Sequence, residues 1–204
     1  MQEWFRVLKY DGRFCLNIIN QAFLGGDKQN IFSPLECCFY AINNSSLKFR
    51  DLIIWDQLNS GCKTAWGSWK SASAPWLRHM CESIIIGYKN KWKKESTGKS
   101  DITTEEFMKF TIDKWRFPAE RIRIHSAPFP EELVYRCIKL FTFRNDIILD
   151  PFVGSGTTCK VAKELGRKYI GIELKEEYQK FAETRGRQTL LQTQLGNETE
   201  NWIL

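Results

Sequence analysis

The alternation of apolar and polar residues changes period several times along the chain, and each change predicts an element. Trp4, Phe5, Val7 and Leu8 are helically spaced, Lys9-Tyr10-Asp11-Gly12 has turn chemistry, and residues 13–19 read as a strand. The spacing predicts a short helix over 34–41 and strands over 49–55 and 84–88, the last of them buried. Residues 59–75 are rich in Ser, Gly, Ala and Trp, fit neither period, and read as a long loop. Thr103-Thr104-Glu105-Glu106 has the form of a capping box and opens a helix predicted over 103–115. A second helix is predicted over 131–141.

The C-terminal third carries the strongest pattern. Ile147-Ile148-Leu149-Asp150 is a short apolar strand ending in an acid, and residues 151–156 form a Gly-rich turn. Residues 157–165 have helical spacing (Val161, Ala162, Leu165) and stop at Gly166. Tyr169-Ile170-Gly171-Ile172-Glu173 is another strand ending in an acid, followed by a helix over 176–191. Strand, Gly-rich turn, helix, strand and acid make a nucleotide-binding βαβ unit, hence an α/β fold.

Composition narrows the class. The chain has 204 residues, 43% hydrophobic and 14% aromatic, which suits one folded domain and excludes a disordered chain. No apolar run approaches the ~20 residues that span a bilayer, and the start lacks a signal-peptide pattern, so no membrane partner is expected. Seven cysteines, none in Cys-x-x-Cys spacing, argue against a disulfide scaffold or a zinc site, and a cytoplasmic location is expected. The net charge of +6 permits a nucleic-acid partner without requiring one.

The turn decides what is bound. A Walker loop needs a Lys that does not follow Gly156, and the dinucleotide fingerprint has Cys159 where its third glycine belongs. Gly154 and Gly156 still admit a ligand close to the backbone, and the helix beginning at Thr157 offers N–H groups and a partial positive charge. Glu173, 17 residues past Gly156, stands where a carboxylate accepts both hydroxyls of a ribose. Adenosine with a small carboxylate tail and no triphosphate describes S-adenosylmethionine. The competing reading is a glycine turn chosen for packing, with Glu173 a solvated acid at a strand end.

Asp150-Pro151-Phe152-Val153-Gly154-Ser155-Gly156-Thr157-Thr158 resembles the S-adenosylmethionine-binding motif of the DNA amino-methyltransferases, which modify cytosine N4 or adenine N6. His125-Ser126-Ala127-Pro128-Phe129-Pro130-Glu131-Glu132-Leu133 is similar to the segment preceding that motif in the permuted, β-type members. Trp55-Asp56-Gln57, continuing through Thr64-Ala65-Trp66-Gly67-Ser68-Trp69-Lys70-Ser71, resembles a Trp-rich loop of the branch associated more with cytosine N4 than with adenine N6. Arg6 to Arg13 resembles the helix-turn-strand that follows the catalytic loop, with Tyr10-Asp11 where Pro-Gly is usual.

The resemblance implies an S-adenosylmethionine-dependent methyltransferase acting on double-stranded DNA within a restriction-modification system. Asp150, Phe152, Gly154, Ser155, Gly156 and Thr157 would surround the methionine moiety, Glu173 would take the ribose, and Phe129 would close the pocket. Trp66 and Trp69 would face the flipped base or the DNA. Residues 89–99, five Lys and one Glu around Trp92, would put Lys91, Lys93 and Lys94 on phosphates with the indole available for stacking; the alternative is a solvated loop. The corresponding division is one partial methyltransferase domain over 1–204, with DNA-facing loops within 56–124 and the cofactor-binding part at 125–191.

The family activates the exocyclic amine with a loop of the form Asp/Asn/Ser-Pro-Pro-Tyr/Phe, whose polar groups accept the two N–H bonds. No Pro-Pro occurs in this sequence, and no catalytic residue is assigned. Ser33-Pro34-Leu35 lacks the second Pro and the aromatic. In the β-type order the loop lies upstream of Trp4, together with the central strand and the strand beyond that of Glu173. An incomplete Rossmann-like sheet in two pieces with open edges is therefore expected, as is a fragment or one half of a split enzyme with a complementary N-terminal chain. The competing functions are a non-catalytic S-adenosylmethionine- or DNA-binding remnant and a methyltransferase or nucleotide-binding domain of another class.

Overall fold

The computed structural model describes residues 1–23, 31–58, 68–75, 77, 79–120, 130–192 and 202–203. They belong to two compact units, residues 1–96 with 112–118 and residues 97–111 with 119–204.

The first unit is built on a mixed sheet. Helix α1 (Gln2–Val7) leads through the turn at Gly12 into β1 (Arg13–Ile19). A small antiparallel pair, β2 (Ala22–Phe23) with β3 (Ile31–Phe32), precedes α2 (Pro34–Asn43). Ser33 caps α2 by accepting from the Glu36 N–H at 3.2 Å, and Pro34 sits where a missing N–H costs nothing. Strands β4 (Lys48–Asp56) and β5 (Cys81–Tyr88) follow. The spatial order is β1-β5-β4, with β5 antiparallel to both neighbours.

Ile84, Ile85 and Ile86 are buried on both faces of β5, which is why that strand reads as a continuous apolar run. Gly87 is required by packing: a Cβ there would lie 2.2 Å from Phe14 Cζ. The sheet ends in β6, Lys114–Arg116, parallel to β4. This corrects the helix expected over 103–115. Lys114-Trp115-Arg116 alternates with period two, and pairing opposite β4 places Trp115 out of solvent beside Phe117. Trp55 stacks on Phe117 and donates its indole N–H to the Phe117 carbonyl at 3.0 Å.

In the second unit the capping box is present but opens only a short helix, α3 (Thr104–Phe110). Then come α4 (Glu131–Phe141), β7 (Ile147–Asp150), α5 (Thr157–Glu164), β8 (Lys168–Gly171) and α6 (Glu176–Gln192). β7 and β8 pair in parallel across α5, as the βαβ pattern requires. Val134, Ile138, Val153, Cys159, Val161, Ala162 and Tyr169 form the core between helices and sheet. One expectation needs correction: the position beyond β8 is filled from within the chain, by β9 (Trp202–Ile203), which pairs in parallel with Ile170 and Gly171. A two-residue strand has no periodicity to read. Among the described residues β1 and β7 each have one paired side, and no helix is long and apolar enough to cross a membrane.

Arg167 pins this unit together. It lies just beyond a Schellman ending of α5, with Gly166 at φ +69°, the Gly166 N–H on Lys163 O and the Arg167 N–H on Ala162 O. The guanidinium is fully buried, and all its donors are used. It meets Asp101 bidentately at 2.6 and 2.8 Å, Leu165 O at 2.7 Å, Thr142 O at 3.0 Å and Thr142 Oγ1 at 3.1 Å. A cation is thereby placed at the negative ends of both α4 and α5. Lys139 extends the network to the Asp101 carbonyl at 2.7 Å and to Glu106 at 3.4 Å. Glu106 also accepts from the Tyr135 hydroxyl, whose pKa burial and that carboxylate push up to about 12.

The bond from Arg167, against partial burial, holds the Asp101 carboxyl below its ordinary pKa. A depressed carboxylate stabilises the fold above its unfolded pKa of ~3.9 and loses that contribution as pH falls through the folded value. The unit is therefore expected to weaken below about pH 4. Asp101→Ala leaves a buried guanidinium without its counter-charge and should cost on the order of 3 kcal/mol at neutral pH. Urea unfolding of parent and variant across pH checks both; equal stability at pH 7 would show that the pair carries no weight.

Candidate functional site

The turn between β7 and α5 is held by two carboxylates. Asp150, the last residue of β7, accepts from the Phe152 N–H at 3.0 Å and from the Thr158 hydroxyl at 2.5 Å, joining the start of the turn to the first turn of α5. Glu173, two residues past β8, accepts from the Gly154 N–H at 2.9 Å and from the Lys175 N–H at 2.9 Å. Backbone bonds from Ile172 to Asp150 O and from Val153 to Ile172 O continue the strand pairing into the turn. Asp150, Gly154, Ser155, Gly156, Thr157 and Glu173 thus converge on one turn.

The glycines have separate causes. Gly154 and Gly156 have φ of +49° and +83°, in the left-handed region. At Gly156 a Cβ would also sit 2.9 Å from the Cα of Ala182 on α6. The packing reading of that glycine is therefore correct as far as it goes. Helix–strand closeness, which the dinucleotide fingerprint obtains from its third glycine, comes here from the strand side. Cys159 is buried against Gly171, where a Cβ would lie 2.9 Å from its Sγ. Burial, with the charge of Asp150 adding to it, pushes the Cys159 thiol up to about 12, so it stays protonated and serves packing.

Glu173 is half-buried and anchored to backbone on both sides of the turn. A carboxylate offers about four acceptor directions, and two of those on Glu173 are taken by backbone N–H groups, which fix its orientation and leave the others for hydroxyl donors. Around it are apolar groups held in solvent: Phe152 is 75% exposed and Leu174 97% exposed. Leu174 and Thr158 were not among the candidate residues. An apolar side chain directly after the strand-end acid is the signal for Leu174; nothing local marks Thr158 as the partner of Asp150. Phe129 and Trp66 lie outside the described residues.

The remaining candidates belong to the first unit, and the structure does not bring them together. Asp56 pairs with Cys81 at one end of β4 and β5, and Lys48 with Tyr88 at the other. The connection bearing Trp69 leaves from the first end, the basic segment from the second. Seven steps along β5, at ~3.4 Å each, put roughly 24 Å between the two ends. Ligands of open α/β sheets gather at the carboxyl ends of parallel strands. For β1 and β4 that is the end with Asp56, from which the connection bearing Trp69 leaves.

Trp69 is 64% exposed on a turn stitched by serines. Ser68 N–H donates to Ala74 O at 2.9 Å, Ala74 N–H to Ser68 Oγ at 2.8 Å, and Ser68 Oγ to Ser71 O at 2.7 Å. Lys70 lies over its ring at 5.7 Å. In the basic segment Trp92 is half-buried, with the Arg13 and Arg50 guanidinium groups 4.3 and 5.1 Å from its ring and Tyr88 edge-on at 5.7 Å. Two guanidinium groups of the protein itself thus lie over the indole expected to be available for stacking. Lys91 is paired with Glu95 at 2.5 Å, Lys93 is exposed, and Lys94 lies beside Asp11. Asp11 is largely buried, which opposes its ionisation, but N–H donors from Glu95 and Ser96 and the charge of Lys94 outweigh this and lower its pKa.

Comparison with known proteins places this geometry. The type II methyltransferase M.MjaVI of Methanocaldococcus jannaschii is 40% identical over 123 residues, covering 58% of this chain and 61% of that protein. The type II methyltransferase M2.LlaDCHI of Lactococcus lactis is 31% identical over 197 residues, covering 90% of this chain and 65% of its own length. The chain thus spans a little under two thirds of these relatives. Among solved structures, the putative DNA modification methylase TTHA0409 of Thermus thermophilus, complexed with S-adenosyl-L-methionine, superposes with a TM-score of 0.75 at 27% identity, over 92% of this chain and 73% of that one. The fold is that of a Rossmann-like methyltransferase. With the sequence pattern of the DNA methylases, the N6/N4 methyltransferase family, matching residues 1–184, the chain belongs to that family.

Proposed function

We propose that the chain carries the cofactor-binding turn and a DNA-facing surface of an S-adenosylmethionine-dependent DNA methyltransferase of a restriction-modification system, directed at cytosine N4 ahead of adenine N6. The observation that carries the reading is the pair of carboxylates on one Gly-rich turn, Asp150 locking its shape and Glu173 keeping acceptor capacity beside exposed apolar groups. These residues fit the cofactor. Glu173 would accept the ribose hydroxyls, Phe152 and Leu174 would cover apolar parts, and Gly154 to Thr157 would face the methionine end. When bound, the cofactor supplies an electrophilic methyl group on a sulfonium. Trp69 would meet the base or its neighbours, which rests on its exposure and on the polarity of the sheet. The preference for cytosine rests on the Trp-rich segment around Trp66 and Trp69.

An exocyclic amine sheds one proton as it is methylated, and the Pro-Pro-aromatic loop whose polar groups would accept hydrogen bonds from its two N–H bonds does not occur in these 204 residues. That loop is expected from a further segment or a complementary chain. The same observation favours a second reading, a cofactor- or DNA-binding remnant that transfers nothing.

Glu173→Ala should lower S-adenosylmethionine affinity by about 1.5–3 kcal/mol, roughly ten- to a hundredfold, read by calorimetry on folded protein. Unaltered affinity would remove Glu173 from the site. Replacing Lys91, Lys93 and Lys94 together by Gln should weaken binding to all duplexes and flatten the salt dependence by up to about three phosphate contacts. A slope equal to the parent's would make the segment a solvated face, as its place at the amino ends of β1 and β4 would suit. In a tritiated-methyl assay on bulk DNA the 204 residues alone should give no transfer, and adding a segment with the Pro-Pro-aromatic loop should restore it. Transfer by the chain alone would mean that its own residues supply the proton acceptors; none with the added segment would favour the remnant.

A further inference from the structure

The turn after β7 is fastened along most of its length from the β8 side. Ile172 O accepts from the Val153 N–H at 3.1 Å, and Glu173 accepts from the Gly154 N–H at 2.9 Å. Neither bond reaches the start of the turn. Pro151 has no N–H, and Phe152 is tied through its own N–H, at 3.0 Å, to Oδ1 of Asp150. Its side chain is 75% exposed, so packing contributes little and the backbone bond decides where the ring stands.

The Asp150 carboxylate is itself oriented by a hydroxyl eight residues on. Thr158, half-buried in the first turn of α5, donates to Oδ2 of Asp150 at 2.5 Å. Threonine hydroxyls commonly bond backbone groups close by in sequence. This one crosses from helix to strand end and ties the two ends of the turn together, with the strength of a bond to a charged acceptor. A carboxylate turns readily about its last torsion, so a donor on one oxygen fixes where the other points. The contacts therefore run in series from the Thr158 hydroxyl, through Asp150, to the backbone of Phe152.

We propose that Thr158 is a positioning residue for the cofactor: by orienting Asp150 it fixes the backbone of Phe152, and with it the ring that covers bound S-adenosylmethionine. This rests on the S-adenosylmethionine reading of the turn. Thr158→Val keeps the shape of the side chain but puts a methyl group against Oδ2. The carboxylate then turns toward water, and Oδ1 leaves the Phe152 N–H. Thr158→Ser keeps the donor and so keeps the series intact.

The test is calorimetric titration of the whole chain with S-adenosylmethionine, in a two-by-two cycle with Phe152→Ala, each protein first shown to be folded by its thermal unfolding. Thr158→Val should weaken binding roughly five- to twentyfold. Thr158→Ser should stay within about twofold of the parent, and Thr158→Val made on Phe152→Ala should change affinity by less than about twofold. A threonine that merely stabilised the helix would cost the same with and without the ring. If Thr158→Val does not fold, Thr158→Ala, which leaves no methyl against the carboxylate, takes its place in the cycle with the same expectation; failure of both to fold would make Thr158 a structural residue and overturn the proposal. Unaltered affinity on loss of the hydroxyl, a serine variant as weak as the valine one, or an undiminished effect in the absence of the ring would overturn it too. A folded parent that binds no S-adenosylmethionine overturns the cofactor reading itself, and the positioning role with it.

Discussion

Everything at the turn after β7 depends on carboxylates standing at the ends of adjacent parallel strands. Parallel pairing puts Asp150 and Glu173 on the same edge of the sheet, and the turn rising between them exposes backbone donors that no strand can satisfy. Asp150 takes the Phe152 N–H and the Thr158 hydroxyl, and Glu173 takes those of Gly154 and Lys175. From the other side Ala182 of α6 comes so close that position 156 has no room for a Cβ. The shape is imposed before any ligand arrives, so little ordering remains to be done on binding. It also explains why these acids hold backbone without being used up by it: each carboxylate has more acceptor directions than the turn has donors near it.

The turn is only as fixed as the helices that frame it, and Arg167 governs those. A guanidinium suits the place because five donors in one plane can serve two helix ends and a carboxylate at once, which an ammonium cannot. Through Asp101 the residues before α3 are drawn onto the ends of α4 and α5, and Lys139, Glu106 and Tyr135 fill the space beside them with mutually satisfied groups. A buried network of this kind stabilises less through its charges than it would cost if half made.

Legibility followed the range of the interactions. The βαβ unit could be read because its boundaries are local, Asp150, Gly166 and Glu173 each marking an end, and α4 occupies the predicted 131–141. The helix over 103–115 was overrun because the capping box at Thr103 is a strong start signal, whereas what stops it is Trp115 pairing opposite Trp55, a contact invisible in the local pattern. Trp92 among lysines looks like a stacking platform, and nothing local announces that Arg13 and Arg50, from two other strands, lie over its ring. Glu82 gave no signal at all, since a single acid at the start of an apolar strand is commonplace, and the side-chain amides it accepts from, those of Asn17 and Gln57, lie on β1 and just past β4.

The polarity of the sheet then orders the candidate surfaces. Residues 66–69 and 89–99 are near one another in the chain and share a composition of Trp and Lys, which invites one continuous contact. An antiparallel strand defeats that inference, because β5 carries the chain from one end of the sheet to the other between them. The end with Asp56 carries Leu58 at φ +52° and a carboxylate, Glu82, that accepts from the side-chain amides of both Asn17 and Gln57; the end with Trp92 has its arginines over its own aromatic ring and one of its lysines on Glu95. Side chains already satisfied internally have less to offer a polyanion than their formal charge suggests. A net charge of +6 is therefore a poor guide to where DNA would lie on this protein, and the direction of the parallel strands a better one.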